Sequence, residues 1–269
     1  MTWNNRRRKN KNLIFVIAVL LAITALSTTD ASTDPIEGRY SFSLTTFHPS
    51  GKLAQLSHAT KASSLGPPIL AFYDSRGIVL TSLQSLPSPL IHDDGTARFV
   101  KITDSILIGH TGVNADGRVV TEAAQRLAVE HSYTFQEEIP MDILLEEIAL
   151  LYQEYTMKPG VRPFGCSIIV AGLKDGLFRI DPSGAVTNID DVVSFSGRGD
   201  GDSIIEKVKK SLQDNGDGDG SLQSIEDALI GAVRDEVIGG KQSSRQSIIC
   251  ARLSSGTDRS ESLRRIDCI

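Results

Sequence analysis

Strand-like and helix-like segments follow one another in blocks, and the order of these blocks constrains the fold more than any single motif. Residues 53–64 have apolar positions at helical spacing, and strand patterns around short turns follow in residues 68–83 and 98–112. Two helical patterns come next, at residues 115–135 and 140–157. Strand patterns return after Gly165, and two more helical patterns and a late strand complete the series.

The helical patterns each have one apolar face, which must be covered by another layer. The faces of the first helical pair are formed by Val120, Ala123, Ala124 and Leu127, and by Leu144, Leu145, Ile148, Leu151 and Tyr152. The strands lack clean alternation, which indicates that both faces of their sheets are covered. Two stacked sheets with helices outside each would satisfy this pattern in one α+β domain. An unrelated α+β arrangement is the alternative.

The first 34 residues have the three-part form of a signal peptide. A basic segment, Arg6–Lys9, precedes an apolar run, Leu13–Leu26, and small residues follow it. The run has 14 residues, fewer than the ~20 that cross a bilayer as a helix. We therefore expect a leader cleaved after Ser27 or Ala31, which would leave no stable membrane span. An upstream exon wrongly joined to a cytosolic protein is the alternative.

Charge and cysteine content exclude two classes of protein. The formal net charge is −5, so no broad basic field predicts nucleic-acid binding. Cys166, Cys250 and Cys268 are an odd number of cysteines without metal-ligand spacing. We interpret all three as free thiols, and the sequence predicts neither a disulfide framework nor a zinc site.

An acidic segment between the last two helical patterns has the spacing of a calcium-binding loop. Counting from Asn215, Asp217 is third, Asp219 is fifth, Gly220 is sixth and Glu226 is twelfth. Asparagine at the first position removes one negative charge. A solvated helix-to-helix connection uses the same residue types and is the favoured interpretation, so we assign no metal and no cofactor.

Two other patterns predict structure and no chemistry. The glycine-rich segment Gly197–Asp202 lacks dinucleotide-binding spacing and is interpreted as a turn with an acidic helix cap. The histidines show no zinc-ligand spacing, and we expect solvated or packing roles for them. They are His48, His58, His92, His110 and His131.

One long tract and three shorter ones carry a family resemblance. The tract Tyr40–Lys52, YSFSLTTFHPSGK, is followed by GVRPFGCSIIVAG at Gly160–Gly172, DPSGA at Asp181–Ala185 and QEYT at Gln153–Thr156. Together they resemble proteasome alpha-type subunits, most of all the type-2 subunits, over roughly residues 38–253. In the long tract only His48 departs from the type-2 pattern.

The resemblance implies a four-layer αββα sandwich of the N-terminal-nucleophile hydrolase superfamily and a place in the outer ring of the 20S proteasome. It implies a non-catalytic subunit, alpha and beta subunits as partners, and a cytoplasmic and nuclear location. Together with the leader pattern, it divides the chain into the leader 1–34, an alpha-type domain 35–253 and a short polar tail 254–269. The residues that carry it, called the ring signature below, are Tyr40, Ser41, Phe42, Pro49, Gly51, Arg162, Pro163, Phe164 and Gly165.

The adjacent threonines Thr45 and Thr46 lack the requirements of a threonine nucleophile. Such a nucleophile needs a free N-terminal amine as its base and a nearby lysine. Here the chain continues upstream, no glycine precedes the pair as a processing site, and the segment Ile78–Leu86 contains no lysine. We predict that both threonines are structural.

Three departures from the family pattern have consequences. The short helix has Ala54–His58 where the family has Phe-Gln-Val-Glu-Tyr, which removes aromatic area from a ring contact. Leu83 and Gln84 stand where the family has an acid and a lysine that captures activator tails, so activator docking is not expected at this subunit. The final helix of the family is replaced by a remnant, SESLRRIDCI, and regular structure is expected to end near residue 253.

These observations leave two main hypotheses of function, and a third, a threonine hydrolase, would require Thr45 or Thr46 to be a free N-terminus. The first is a structural outer-ring subunit that contributes to ring assembly, pore gating and ubiquitin-dependent protein degradation. The second is a divergent scaffold or regulatory protein that keeps only the fold and is routed through the secretory system, as the leader would allow.

Overall fold

Two antiparallel sheets, packed face to face, form the middle of the molecule. The structure is a computed structural model that describes residues 46–86, 98–191, 193–199, 201–214, 222–238, 245–254 and 261–268. All of them belong to one compact unit, Phe42–Ile269. None of the helices in these ranges is both long enough and apolar enough to span a membrane.

The strands of the described ranges form two five-stranded sheets. In chain order they are β1 Ile69–Asp74, β2 Gly77–Leu86, β3 Phe99–Lys101, β4 Ile106–Gly112, β5 Cys166–Gly172, β6 Gly176–Ile180, β7 Val186–Ile189, β8 Val193–Ser196, β9 Arg245–Ser254 and β10 Glu261–Cys268. The first sheet has the order β10-β9-β2-β1-β8, and the second has the order β3-β4-β5-β6-β7. Gly77, with φ +151°, closes the tight turn that joins β1 to β2.

The described helices lie in sequence where the periodicity predicts them. They are α1 Ala54–Ser64, α2 Asn114–Phe135, α3 Met141–Met157, α4 Gly201–Asp214 and α5 Leu222–Ile238. Helices α2 and α3 follow the hairpin of β3 and β4 in the chain, and α4 and α5 follow β8. The predicted order of helices and strands is therefore confirmed up to β9.

Three apolar layers show how the helices and sheets are stacked. Val120 of α2 and Ile148 of α3 pack with Ile168 on the outer face of the second sheet. The inner faces of the two sheets meet in another layer, which includes Ile69, Leu80, Leu107 and Ile169. A third layer packs α4 and α5 on the first sheet and includes Leu70, Val208, Leu229 and Ile248. The α+β, four-layer αββα sandwich is confirmed.

The end of the chain differs from the prediction. Residues Glu261–Cys268 form a strand that pairs antiparallel with β9, from Glu261 opposite Leu253 to Cys268 opposite Gln246. The prediction that regular structure ends near residue 253 is wrong, because the open edge of β9 has backbone groups that another strand can pair. The domain limits at residues 35 and 253 stay predictions, and the predicted leader 1–34 lies outside the described residues.

The two cysteines whose side chains are described are buried and free of disulfides. Cys166 accepts or donates a hydrogen bond with the Tyr152 hydroxyl at 3.2 Å, and Cys250 accepts one from the Thr81 hydroxyl at 3.5 Å. Burial raises the pKa of each thiol to about 12. The free-thiol prediction is confirmed for these two, and the Cys268 side chain lies outside the described residues.

We expect Cys166 and Cys250 to resist alkylation in the native chain at pH 8. Thiolate is the reactive form, and with a pKa about 12 its population at that pH is about one part in ten thousand. The measurement is iodoacetamide labelling of a Cys268→Ser variant, read by mass spectrometry with and without urea. Labelling in urea alone is the expected result, and rapid labelling of the native chain would contradict it.

Candidate functional site

The segment Arg162–Gly165 of the ring signature is bound to the first turn of α2 by a bidentate ion pair. Nη1 and Nη2 of Arg162 donate to Oδ2 and Oδ1 of Asp116 at 2.6 and 2.7 Å. The Asp116 side chain is 10% exposed and the Arg162 side chain 63% exposed. Two parallel charge-assisted hydrogen bonds fix orientation as well as distance. The pair therefore holds the loop between α3 and β5 against the start of α2.

The backbone of Gly165 connects the same two segments a second time. Its N–H donates to Oδ2 of Asp116 at 2.8 Å, and its carbonyl accepts from the N–H of Val113 at 2.9 Å. Asp116 thus accepts hydrogen bonds from both Arg162 and Gly165. We call the group Asp116, Arg162, Pro163, Phe164 and Gly165 the Asp116 junction.

The electrostatics of the junction favour the charged form of Asp116. Burial alone would raise the pKa of Asp116, but hydrogen bonds from Arg162 and Gly165, with the Arg162 charge, outweigh burial and lower that pKa below its ordinary value of 3.8. The hydrogen bonds to Asp116 likewise raise the pKa of Arg162. The pair therefore stays ionised at neutral pH.

Phe164 anchors the junction in the apolar layer beneath it. Its ring meets that of Tyr152 edge-on at 5.2 Å and that of Tyr155 at 4.3 Å. The Tyr152 hydroxyl is buried and donates to the carbonyl oxygen of Cys166 at 3.0 Å. Burial, followed by the nearby Cys166 thiol, raises the pKa of Tyr152 well above its usual range, so this hydroxyl keeps its proton. The two tyrosines of α3 thus hold the loop in place from below.

Two glycines, Gly66 and Gly112, allow backbone segments to pack closely beside the Asp116 junction. A Cβ atom on Gly66 would lie 2.5 Å from Cα of Gly112, and one on Gly112 would lie 2.9 Å from Cα of Cys166. The hydroxyls of Ser63 and Ser167 are hydrogen-bonded at 3.1 Å across the same contact. The end of α1 therefore packs against β4 and β5 at a distance that only glycine permits.

The other described residues of the ring signature lie in a separate turn before α1. Gly51 has φ +79°, and its N–H donates to the carbonyl of His48 at 2.7 Å, with Pro49 inside the turn. Pro49 and Gly51 are exposed. Tyr40, Ser41 and Phe42 lie outside the described residues, so the structure brings together only the Arg162–Gly165 part of the signature.

The threonine and activator predictions depend on residues that the structure places only in part. Thr45 lies outside the described residues, and Thr46 is exposed in the segment before the turn. Leu83 is buried at 4% exposure, and Gln84 lies opposite Ser247 in the β2–β9 pairing. The structural role of the threonines and the absence of activator docking stay predictions.

Glu226, the twelfth residue of the calcium-like spacing, is already paired in the structure. It is fully buried in α5, and one of its carboxylate oxygens accepts from Nη1 of Arg252 at 3.3 Å. Arg252 also donates to Oε1 of Gln223 at 2.8 Å. Residues 215–221 lie outside the described residues, and no group of three or more metal-ligating side chains occurs in the described ranges.

A comparison with protein families decides the identity of the fold. The profile described as "Proteasome subunit" matches residues 64–246, more than half of the chain. The chain belongs to the proteasome subunit family. The Asp116 junction lies inside the matched region, and the tract Tyr40–Lys52 lies before it.

Curated relatives place the chain among the alpha-type members of the proteasome family. It is 40% identical over 150 residues to the proteasome subunit alpha type-2 of Drosophila melanogaster. The aligned region covers 55% of this chain and 64% of the relative. It is 38% identical over 152 residues to the alpha type-2-A subunit of Arabidopsis thaliana. It is 37% identical over 152 residues to the alpha type-2 subunit of Oryza sativa subsp. indica. Each of these two alignments covers 55% of this chain and 65% of the relative. The chain thus spans about 65% of the length of these relatives. The predicted resemblance to alpha-type subunits, type 2 in particular, is confirmed.

Sequence reasoning missed the proteasome-fold residues that hold the ring signature in place. Asp116 lies 46 residues before Arg162. Tyr152 was predicted only as part of the apolar face of α3, and its hydrogen bond to Cys166 in the next strand was not predicted. An acidic residue in the first turn of a helix is stabilising by itself. The position of Asp116 in the sequence therefore gave no sign that it binds a distant arginine. The ring signature identified the loop Arg162–Gly165 but not the Asp116 carboxylate that binds it.

Proposed function

We propose that this chain is a non-catalytic structural subunit of the outer ring of the 20S proteasome, where it contributes to ring assembly, pore gating and protein degradation. The family match over residues 64–246 carries the proposal. Its partners would be the other alpha and beta subunits, and its location would be the cytoplasm and nucleus. The Asp116 junction supports the proposal, because it holds the Arg162–Gly165 segment, in which only Arg162 is exposed, in a fixed conformation.

The chemistry of the described residues supports a structural role. The Asp116 junction contains a carboxylate and a guanidinium that are bound to each other, with no nucleophile beside a base. The buried thiols have pKa values of about 12 and are therefore poor nucleophiles. A subunit of this kind would contribute contacts to a proteolytic particle and no peptide-bond cleavage of its own.

Native purification tests the proposal. The full chain with a C-terminal tag would be expressed in its own cell type, purified without denaturant and separated on a glycerol gradient. Co-sedimentation with alpha- and beta-type subunits in a 20S particle is the expected result. Recovery only as a free protein, or only in a membrane-enclosed secretory fraction, would contradict the proposal and favour the scaffold hypothesis.

Restoring aromatic area on α1 is expected to increase incorporation into the ring. Ala54 is half-buried and His58 exposed, and they lie one turn apart on the same face of α1. The double variant Ala54→Phe/His58→Tyr would add two aromatic anchors, which contribute about 1 kcal/mol or more each at interfaces. Together they correspond to about 2 kcal/mol, so we expect about a thirtyfold rise in the ratio of ring-bound to free subunit, measured by gradient fractionation.

A variant on the opposite face of α1 is the matched control for this gain. Thr60 is exposed and is offset from His58 by about half a turn, so Thr60→Tyr adds similar area elsewhere on α1. Its ratio of ring-bound to free subunit should stay at the wild-type value. An equal rise in both variants would show that α1 does not contact a neighbour through the Ala54–His58 face.

A further inference from the structure

A buried arginine next to the second sheet has no counter-charge in the part of the chain that the structure describes. Arg98 directly precedes β3 and is 9% exposed, and its buried Nε and Nη1 atoms have no hydrogen-bond partner among the described residues. Arginine keeps its charge inside proteins, unlike lysine or histidine, which can lose a proton when buried. A buried guanidinium therefore needs an anion to offset the cost of removing it from water.

His110 lies beside Arg98 and also has an unpaired polar atom. The backbone N–H of His110 donates to the carbonyl of Arg98 at 3.2 Å, so the two residues are opposite each other and their side chains leave the same face of the sheet. His110 is 1% exposed, and its Nδ1 has no hydrogen-bond partner within the described ranges. Its Nε2 lies 2.8 Å from Oδ1 of Asn114. Because an amide oxygen only accepts, Nε2 donates and Nδ1 is left as an acceptor.

The imidazole of His110 connects Arg98 to the start of α2. A Cβ atom on Gly117 would overlap the His110 ring, and Asn114 is the first residue of the helix. Val113, at the N-cap position, supplies no side-chain hydrogen bond to the helix. Arg98 and the N-terminus of α2, with its partial positive charge, therefore lie on the same face of the second sheet.

The electrostatic surroundings of both side chains favour an added negative charge. Burial lowers the pKa of the Arg98 guanidinium, and no carboxylate among the described residues opposes that effect. Burial also lowers the pKa of His110, the Arg98 charge lowers it further, and the Asn114 hydrogen bond only partly compensates. His110 is therefore neutral, and Arg98 is the charged member of the pair.

We propose that Arg98, His110 and the first turn of α2 form a binding site for a small protonated oxyanion of the hydrogen phosphate type. The anionic oxygens would accept from Nε and Nη1 of Arg98, and the hydroxyl of the ligand would donate to Nδ1 of His110. This site goes beyond the proposed structural role. Asn114 and Gly117 flank Asp116, whose negative charge is already paired with Arg162, so the bound anion would lie beside the Asp116 junction without taking part in it.

Thermal unfolding of the full chain in inorganic phosphate, compared with chloride at equal ionic strength, tests this site. At a phosphate concentration about a hundredfold above the dissociation constant, the unfolding midpoint should rise by roughly 5 °C. Arg98→Met should abolish the rise. Arg118→Met is the matched control, because Arg118 lies on α2 but is exposed and pairs with Glu122. It should keep the full rise.

A second measurement covers the case in which Arg98→Met does not fold. The ring resonances of His110 in the wild-type chain should shift saturably as phosphate is added, and no shift would overturn the proposal. An equal midpoint rise in Arg98→Met would show an adventitious ion only. A rise confined to an Asp93→Asn/Asp94→Asn variant would show that a carboxylate of the chain itself occupies the site, and that result would also overturn the proposal.

Discussion

Replacing Gly66 with alanine is expected to destabilise the fold by about 3 kcal/mol or more, and to lower the unfolding midpoint by roughly 10 °C. The added methyl group would lie 2.5 Å from Cα of Gly112 and 2.6 Å from Oγ1 of Thr111. A collision with backbone cannot be relieved by a change of side-chain rotamer. The end of α1 would have to separate from β4, and the hydrogen bond between Ser63 and Ser167 would be lost with that contact.

A second glycine provides a matched control for the same chemical change. Gly231 lies inside α5, and a Cβ atom there would meet nothing within 4 Å. Because alanine favours helix over glycine, Gly231→Ala should stabilise the fold by about 0.5–1 kcal/mol. Urea denaturation of the full-length variants, followed by far-ultraviolet circular dichroism, gives both changes in free energy. A loss of less than 1 kcal/mol for Gly66→Ala would show that α1 can move away from β4 at little cost.

The layer order could be predicted because the apolar residues of each helix and strand recur with the period of that element. Each apolar face must be covered by another helix or sheet, and this requirement fixes the layers. The faces of α2 and α3 were identified from residues such as Val120 and Ile148, and both are fully buried. Strand β5 has seven buried residues in succession, as expected of a strand covered on both faces. Local pattern and tertiary packing agree in these elements.

Strand β10 could not be predicted, because its sequence lacks a strand period. Leu263 and Ile266 are three residues apart, which fits neither alternation nor a full helical face. The partner of the strand is β9, and the need of that edge for hydrogen bonds arises only after the sheet has formed. The sequence of β10 is therefore compatible with a strand, and pairing with the edge of β9 is what makes it one.

The candidate site could be predicted only as a segment. The Arg-Pro-Phe-Gly motif located Arg162 and Phe164, but the residues that hold them, Asp116 and Tyr152, contact the loop through the fold. The pairing of Arg98 with His110 depends in the same way on the register of β3 and β4. Polar pairs between distant segments have no sequence period, so they become visible only when the strands are aligned.

Replacing Asp116 with asparagine is expected to lower the free energy of unfolding by about 2 kcal/mol at pH 7. Asparagine keeps an oxygen for the N–H of Gly165 but loses the charge that binds both nitrogens of Arg162. Arg162→Met should cost less, about 1–2 kcal/mol, because the guanidinium is 63% exposed and water screens part of its attraction to the carboxylate. The double variant should cost less than the sum of the two, because each change removes the same pair.

The pH dependence of the Asp116→Asn effect has a definite sign. The folded state lowers the pKa of Asp116 below its ordinary value of 3.8. Its contribution to stability is therefore fully present above the unfolded pKa, about 3.9, and is lost as the pH falls through the lower folded value. The difference between wild type and Asp116→Asn should stay constant from pH 7 to about pH 5 and shrink below about pH 4. Urea denaturation at a series of pH values measures it directly.

An exposed ion pair on the same helix shows which result would contradict this account of Asp116. Arg118 and Glu122 are both more than half exposed, with Nε and Oε1 3.6 Å apart, and such pairs contribute about 0.3–0.5 kcal/mol. Glu122→Gln should therefore have a small effect that added salt removes. If Asp116→Asn behaved like Glu122→Gln, with a small and salt-sensitive loss, the junction would be a surface contact. A larger loss that persists in salt is expected, because the Asp116 carboxylate is buried and accepts a backbone hydrogen bond as well as the ion pair.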